Sequence, residues 1–190
     1  GAVILGPLAD KFHPKRILTG SFLLIGIGCG ILLLFRQVTS VFLLMGSLGI
    51  LGFGRIGQNL GRMAKGLGME VVAYDVFPVH CLEKDIGMRY VTLEELLEQS
   101  DIISIHCPLT DQTRGLIGTD AIARMKKGVV IVNTSRGSLI DEEAMARHLR
   151  AGHFRAILDV YEVEPLPMDS LLRGLENCIL VPHRGGPTTD

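Results

Sequence analysis

Leu48-Gly49-Ile50-Leu51-Gly52-Phe53-Gly54-Arg55-Ile56-Gly57 decides how the rest of the chain is read. A short apolar run ends in a Gly-x-Gly-x-x-Gly turn. Arg55 to Leu67 then places Ile56, Leu60, Met63 and Leu67 at helical spacing, with Gly68 as a stop. A glycine-rich turn alone is common; between a strand and a helix it has a mechanism. Gly52 permits the tight turn, Gly54 lets the backbone approach a pyrophosphate, and Gly57 lets the helix pack on the strand. The helix amino end, opening at Arg55 and Ile56, offers free N–H groups and positive dipole to phosphate oxygens. Arg55 either reaches that pyrophosphate or lies on the helix face.

Working outward, Glu70 to Tyr74 reads as a strand ending at Asp75, 18 residues after Gly57. A carboxylate there accepts hydrogen bonds from adenosine ribose hydroxyls and repels a 2′-phosphate, which favours NAD over NADP. The competing reading makes Asp75 a turn residue ahead of Pro78. Further along, Thr92 and Glu95 form a capping box that opens a helix through Glu98. Strands are expected over 101–105, 129–132, 155–158 and 179–181. Thr119 caps a short helix to Met125, and Asp141 caps another from Glu142 to Arg150. Apolar runs without polar alternation mean strands buried on both faces, hence a parallel sheet with flanking helices. The expected fold is α/β, a doubly wound parallel (Rossmann) sheet.

Composition separates this part from what precedes it. The 190 residues carry a net charge of −1, with no basic footprint for nucleic acid. Mean hydropathy is +0.36, high for a soluble domain. Residues 1–54 hold five charges and residues 55–190 hold 34, roughly 9% against 25%, the second being the usual soluble share. The cysteines, Cys29, Cys81, Cys107 and Cys178, show no CxxC spacing and no partnering histidine cluster, so no metal site is expected. Gly1 to Leu5 are apolar with no basic residue before them, which does not read as a secretory signal. Both ends read as cut.

Ile17 to Phe35 is an uncharged run between Arg16 and Arg36, long enough to span a bilayer and rich in glycine. The preceding Gly6, Leu8, Asp10, Lys11, Lys15 and Arg16 resemble the loop between the second and third helices of major facilitator transporters. An ordinary hydrophobic helix under a partner is the alternative. One or two spans cannot build the repeat that houses a transport site, so transport is not expected. Val41 to Leu51 also reads as a span, but the elements after it favour a strand. The boundary is expected between Phe42 and Ser47. This gives a membrane-like helical segment at 1–45 and a dinucleotide-binding domain at 46–190. Membrane contact is expected through 17–35, and a cytoplasmic location for 46–190.

Ligands of an open parallel sheet bind beyond the carboxyl ends of its strands. Cys107-Pro108, Arg136, Asp159 and His183 fall at those ends. Segment 47–190 resembles the NAD-binding domain of the D-isomer-specific 2-hydroxyacid dehydrogenases, in the phosphoglycerate and hydroxypyruvate/glyoxylate reductase group. Besides the glycine loop, the resemblance rests on four more motifs in the family's order: His106-Cys107-Pro108-Leu109-Thr110, Asn133-Thr134-Ser135-Arg136-Gly137-Ser138-Leu139-Ile140-Asp141, Leu158-Asp159-Val160-Tyr161-Glu162-Val163-Glu164-Pro165-Leu166-Pro167 and Pro182-His183-Arg184-Gly185-Gly186.

The resemblance implies hydride transfer between nicotinamide and a small 2-oxo or 2-hydroxy acid. Arg136 would hold the substrate carboxylate. His183 would donate and take back the proton. Glu164 would orient the imidazole, with Glu162 as a rival for that part. Asp159 would bond the nicotinamide carboxamide. Cys107, Pro108, Thr113, Thr134, Ser135, Arg136, His183 and Gly185 would line the cofactor. His106 shapes a strand end, His148 and His153 read as solvated, and His13 and His80 carry no constellation.

The family's second, substrate-binding domain should precede Gly46 and close after Asp190, where this sequence holds the transporter-like segment and nothing. The chain is therefore expected to bind NAD and to turn over substrate poorly. A membrane transporter piece and a non-catalytic NAD-binding module are the competing readings, and a chimera of two cut families accounts for both halves. Homodimerisation is expected by family analogy.

Overall fold

The chain divides into two units, Gly1–Leu43 and Leu44–Asp190. A computed structural model describes residues 46–185. The transporter-like loop and the span at 17–35 lie outside the described residues. Among the described residues, no helix is long and apolar enough to cross a membrane.

Seven strands are described: β1 (Ser47–Leu51), β2 (Glu70–Tyr74), β3 (Arg89–Tyr90), β4 (Ile102–Ile105), β5 (Val130–Asn133), β6 (Arg155–Leu158) and β7 (Cys178–Leu180). Five helices connect them: α1 (Arg55–Gly66), α2 (Cys81–Ile86), α3 (Leu93–Gln99), α4 (Thr119–Arg124) and α5 (Glu142–Arg150). All pairings are parallel, in the order β3-β2-β1-β4-β5-β6-β7. The order reverses between β1 and β4, so the loops after those strands flank a crevice at the carboxyl edge.

Each face has its own core. Leu48, Ile50, Val71 and Ala73 pack with Ala64 of α1 and with Ile86 and Met88. Leu51, Val72, Ile103, Ile105, Ile131, Ala156 and Leu158 pack with Leu96, Ile122, Met145 and Leu149 from α3, α4 and α5. This is the two-sided burial that the unalternated apolar runs imply.

The local signals act where expected at two caps. Thr92 Oγ1 accepts from Glu95 N at 3.2 Å while Glu95 Oε2 accepts from Thr92 N at 2.9 Å. Asp141 Oδ1 accepts from Ala144 N at 2.9 Å. Thr119 does not cap α4: Gly118 is the capping residue and Thr119 is the first helical one.

Of the stripe that marked α1 as a helix, only Leu60 packs on the core; the rest does not face the sheet. Ile56, Met63 and Leu67 are 69%, 61% and 62% exposed, whereas Gly57, Gly61 and Ala64 are buried. A Cβ on Gly57 would lie 2.6 Å from Gly52 O, and one on Gly61 would lie 3.1 Å from the Phe53 ring. The helix sits so close to β1 that only small residues fit between them. The segment between Asp75 and Thr92 adds α2 and β3, which periodicity did not reveal because both are too short to show a period.

Candidate active site

The glycine loop leaves β1 with Gly52 at φ +90°, and Gly52 N donates to Tyr74 O at 2.9 Å. A Cβ here would meet Cys107 N at 2.5 Å, so the turn is pressed against the chain leaving β4. Around Gly54, by contrast, nothing stands within 4 Å of where a Cβ would point. Gly54 caps α1 with no side-chain bond, and no acidic residue occupies the first turn. The result is open space beside unshared helix N–H groups, with room and polarity for a pyrophosphate.

Asp75 stands at the end of β2 as expected. Its Oδ2 accepts from Phe53 N at 2.7 Å and its Oδ1 from Phe77 N at 2.9 Å. Each carboxylate oxygen retains a second lone pair, so the group can still receive ribose hydroxyls while it braces the glycine loop. These residues fit a dinucleotide. Arg55 and Ile56 are exposed at the mouth.

The loop after β4 is built on its own bonds. Cys107 is 8% exposed, its thiol lies in the apolar core, and burial pushes its pKa up to about 11. It is no nucleophile, and it meets the site through its backbone. Thr113 Oγ1 donates to Pro108 O at 2.8 Å and accepts from Thr110 N at 2.8 Å, which sets the shape of the loop. Ser135 Oγ donates to Cys107 O at 2.7 Å, joining this loop to the one after β5. His106 takes the structural part: its Nε2 lies 2.8 Å from Ser104 Oγ, and burial lowers its pKa.

Arg136 extends from the loop after β5 and is exposed, with Nη1 donating to Ser135 O at 2.7 Å. Among the described residues no carboxylate pairs with its guanidinium, which leaves its charge available for an anionic ligand. Thr134 is exposed and faces Gly185, with its Cβ 4.0 Å from where a Cβ on Gly185 would stand.

His183 and Glu164 form a pair. His183 Nδ1 lies 2.6 Å from Glu164 Oε2, and Tyr161 N donates to Glu164 Oε1 at 3.0 Å. The hydrogen bond from His183, and then that from Tyr161 N, hold the Glu164 carboxyl below its ordinary pKa. Glu162, the rival candidate, is exposed and makes no bond to His183; its backbone N–H donates to Glu142 Oε1 at 2.6 Å. With Nδ1 engaged, Nε2 is the nitrogen left for an incoming group. His183 has φ +47°, a left-handed backbone rare for a side chain of this size. A mainly apolar cleft of about 530 Å³ opens beside the pair, lined by Tyr161, Glu164, Leu166, Leu180, Val181 and His183 among others.

Asp159 follows β6 at the strand end, as expected, and has a second part there. It is 5% exposed, and its oxygens accept from Arg184 N at 2.8 Å and Gly185 N at 2.6 Å. It clamps the segment that carries His183, so a carboxamide contact falls to whatever lone pairs remain. No bond joins Arg136 to His183 or Glu164, so a bound substrate would have to bridge them.

A model of the family described as D-isomer specific 2-hydroxyacid dehydrogenase, NAD binding domain, matches residues 38–185. The chain belongs to this family. Its members include the glyoxylate reductase of Korarchaeum cryptofilum, 47% identical over 138 residues that make up 72% of this chain and 42% of that protein. The hydroxypyruvate reductase of Blautia hydrogenotrophica is 48% identical over the same shares. The crystal structure of a glyoxylate reductase from Paecilomyes thermophila superposes with a TM-score of 0.68 at 43% identity, covering 76% of this chain and 44% of that one. The chain thus spans about two fifths of the relatives it matches, through their NAD-binding domain. The match begins at Val38, ahead of the boundary expected between Phe42 and Ser47, and no match supports the transporter resemblance of the first residues.

Sequence reasoning in this NAD-binding domain missed Tyr161. Its N–H braces Glu164, and its hydroxyl lies 2.8 Å from Val181 O, the carbonyl that also accepts from His183 N. An aromatic beside Glu162 carries no spacing signal for such a part. The structure also brings together two histidines read as solvated, with His148 Nδ1 lying 2.9 Å from His153 Nδ1, and it pairs His80 with Glu83 at 2.9 Å.

Proposed function

We propose that the chain is the cofactor half of an oxidoreductase that interconverts a D-2-hydroxy acid and its 2-oxo acid. The observation that carries this is the Glu164–His183 pair at 2.6 Å, on the same sheet edge as the glycine loop and the unpaired Arg136. Bound NAD supplies or accepts the hydride. Gly52, Gly54, Gly57 and Asp75 hold the dinucleotide. Arg136 binds the substrate carboxylate through its planar fork. His183 delivers a proton from Nε2 to the carbonyl oxygen in reduction and removes it in oxidation. Glu164 fixes the ring through Nδ1 and favours its charged form, as a buried acid does for the base of a hydrolase triad.

The relatives are more than twice as long as the matched segment, so the substrate cleft is shared with residues outside it. Water exclusion and the second set of carboxylate donors depend on such a lobe. We therefore expect saturable NADH binding with slow turnover of hydroxypyruvate and glyoxylate. Titration of NADH fluorescence and a steady-state assay test this. Absence of NADH binding overturns the reading, and turnover at ordinary enzyme rates by these 190 residues alone overturns the dependence on a further lobe. A second reading is a non-catalytic NAD-binding module. It predicts that His183→Ala leaves any residual turnover unchanged, whereas the first predicts its loss. Homodimerisation rests on the family likeness, and sedimentation tests it. Membrane contact by residues 17–35 rests on their apolar pattern alone, and detergent dependence of solubility tests that.

A further inference from the structure

Asn133 is the last residue of β5, and its backbone is locked in the sheet between Ile105 and Leu158. It is 0% exposed. A buried amide must have its donors and acceptor met. Asn133 meets its acceptor and one of its donors within the next three residues. Its Nδ2 donates to Arg136 O at 2.8 Å, and its Oδ1 accepts from Ser135 N at 3.0 Å. Neither bond reaches another element. Beyond Arg136 the chain is also confined, because a Cβ on Gly137 would overlap the Tyr161 carbonyl.

We propose that Asn133 is the positioning residue for Arg136: it grips the backbone on both sides of Ser135 and so fixes the point from which the guanidinium reaches a substrate carboxylate. The inference rests on reading Arg136 as the carboxylate holder. Residue type follows from the geometry. Aspartate keeps the acceptor for Ser135 N and loses the donor to Arg136 O. Alanine loses both, leaving Ser135 N without that partner and Arg136 O with only the long 3.4 Å bond from Leu139 N. Arg136 itself cannot supply the missing restraint, since its Nη1 bonds back to Ser135 O on the same loop.

The test uses the 190-residue chain loaded with NADH and titrated with oxamate, an unreactive isostere of a 2-oxo acid, followed by NMR. Asn133→Ala and Asn133→Asp are expected to weaken oxamate roughly tenfold or more. ADP-ribose affinity, which reads the glycine loop and Asp75, stays at the wild-type value and reports an intact fold. On an Arg136→Gln background, Asn133→Ala has no further effect on oxamate. Unchanged oxamate affinity in both Asn133 variants, with Arg136→Gln binding lost, overturns the positioning role. Wild-type oxamate affinity in Arg136→Gln overturns the reading of Arg136 instead. A ligand-free measurement decides the positioning role in that case. The Arg136 amide order parameter should fall from about 0.85 to below about 0.6 in the Asn133 variants, and a rigid amide in both overturns the inference.

Discussion

Glu164 is restrained from two directions, by the His183 ring and by the Tyr161 N–H, and both bonds favour its ionised form. Removing the ring should return the carboxyl toward its ordinary value. We predict that His183→Gln raises the Glu164 titration midpoint, read from the side-chain carboxyl carbon by NMR; an unmoved midpoint would mean that the pair does not form in solution. His106 titrates the other way. Burial lowers its folded pKa beneath the ordinary 6.5, so below that pH the unfolded chain binds a proton that the folded chain refuses. Stability from this ring is full above pH ~6.5, falls as pH drops toward the folded value, and then levels off. Thermal unfolding of wild type and His106→Gln between pH 8 and 5 checks this, the variant having the shallower acid limb. Legibility also differs between these residues. Arg136, Glu164 and His183 were readable because their motifs are local. The parts played by Tyr161 and by the Asp159 clamp were not, because their partners lie across the fold, at Val181 for one and at Arg184 and Gly185 for the other.

Among the elements, α1 shows how two glycines of one motif differ in kind. Gly57 faces the sheet at a distance that excludes a methyl group, and Gly54 faces empty space. Gly57→Ala is therefore expected to destabilise the fold by about 1–3 kcal/mol through forced backbone movement. Gly54→Ala should change unfolding free energy by no more than about 1 kcal/mol while weakening NADH on the order of tenfold. Denaturant unfolding beside NADH titration separates the two, and equal stability losses would contradict the assignment. The apolar spacing of Ile56, Met63 and Leu67 announced a helix correctly, yet it did not say which face met the sheet. Glycine and alanine carry little hydropathy, so a close-packed face built from them leaves no stripe to read.

At the level of the molecule, crossovers between parallel strands gather seven strand ends onto one edge, which carries the glycine loop, Asp75, Arg136, Asp159 and His183 although Gly52 and His183 stand 131 positions apart in the chain. A ligand held only by the folded arrangement stabilises it by mass action. NADH at a hundredfold excess over its Kd should raise the unfolding free energy by about 2.7 kcal/mol, and Asp75→Ala should shift that gain to higher NADH. Calorimetry with and without cofactor checks both, and no gain at saturation would exclude binding to the native state. Strand runs, caps, the glycine turn and the order of five motifs are local in the chain, so they settle the doubly wound class and the cofactor type before any folding is considered. The grip of Asn133 on Arg136, the clamp of Asp159 on the His183 loop, and the choice of Glu164 over Glu162 depend on which backbone groups meet after the crossovers close. A hydrogen bond's partner is set by distances of a few ångströms in space, and those distances are absent from the linear order of residues.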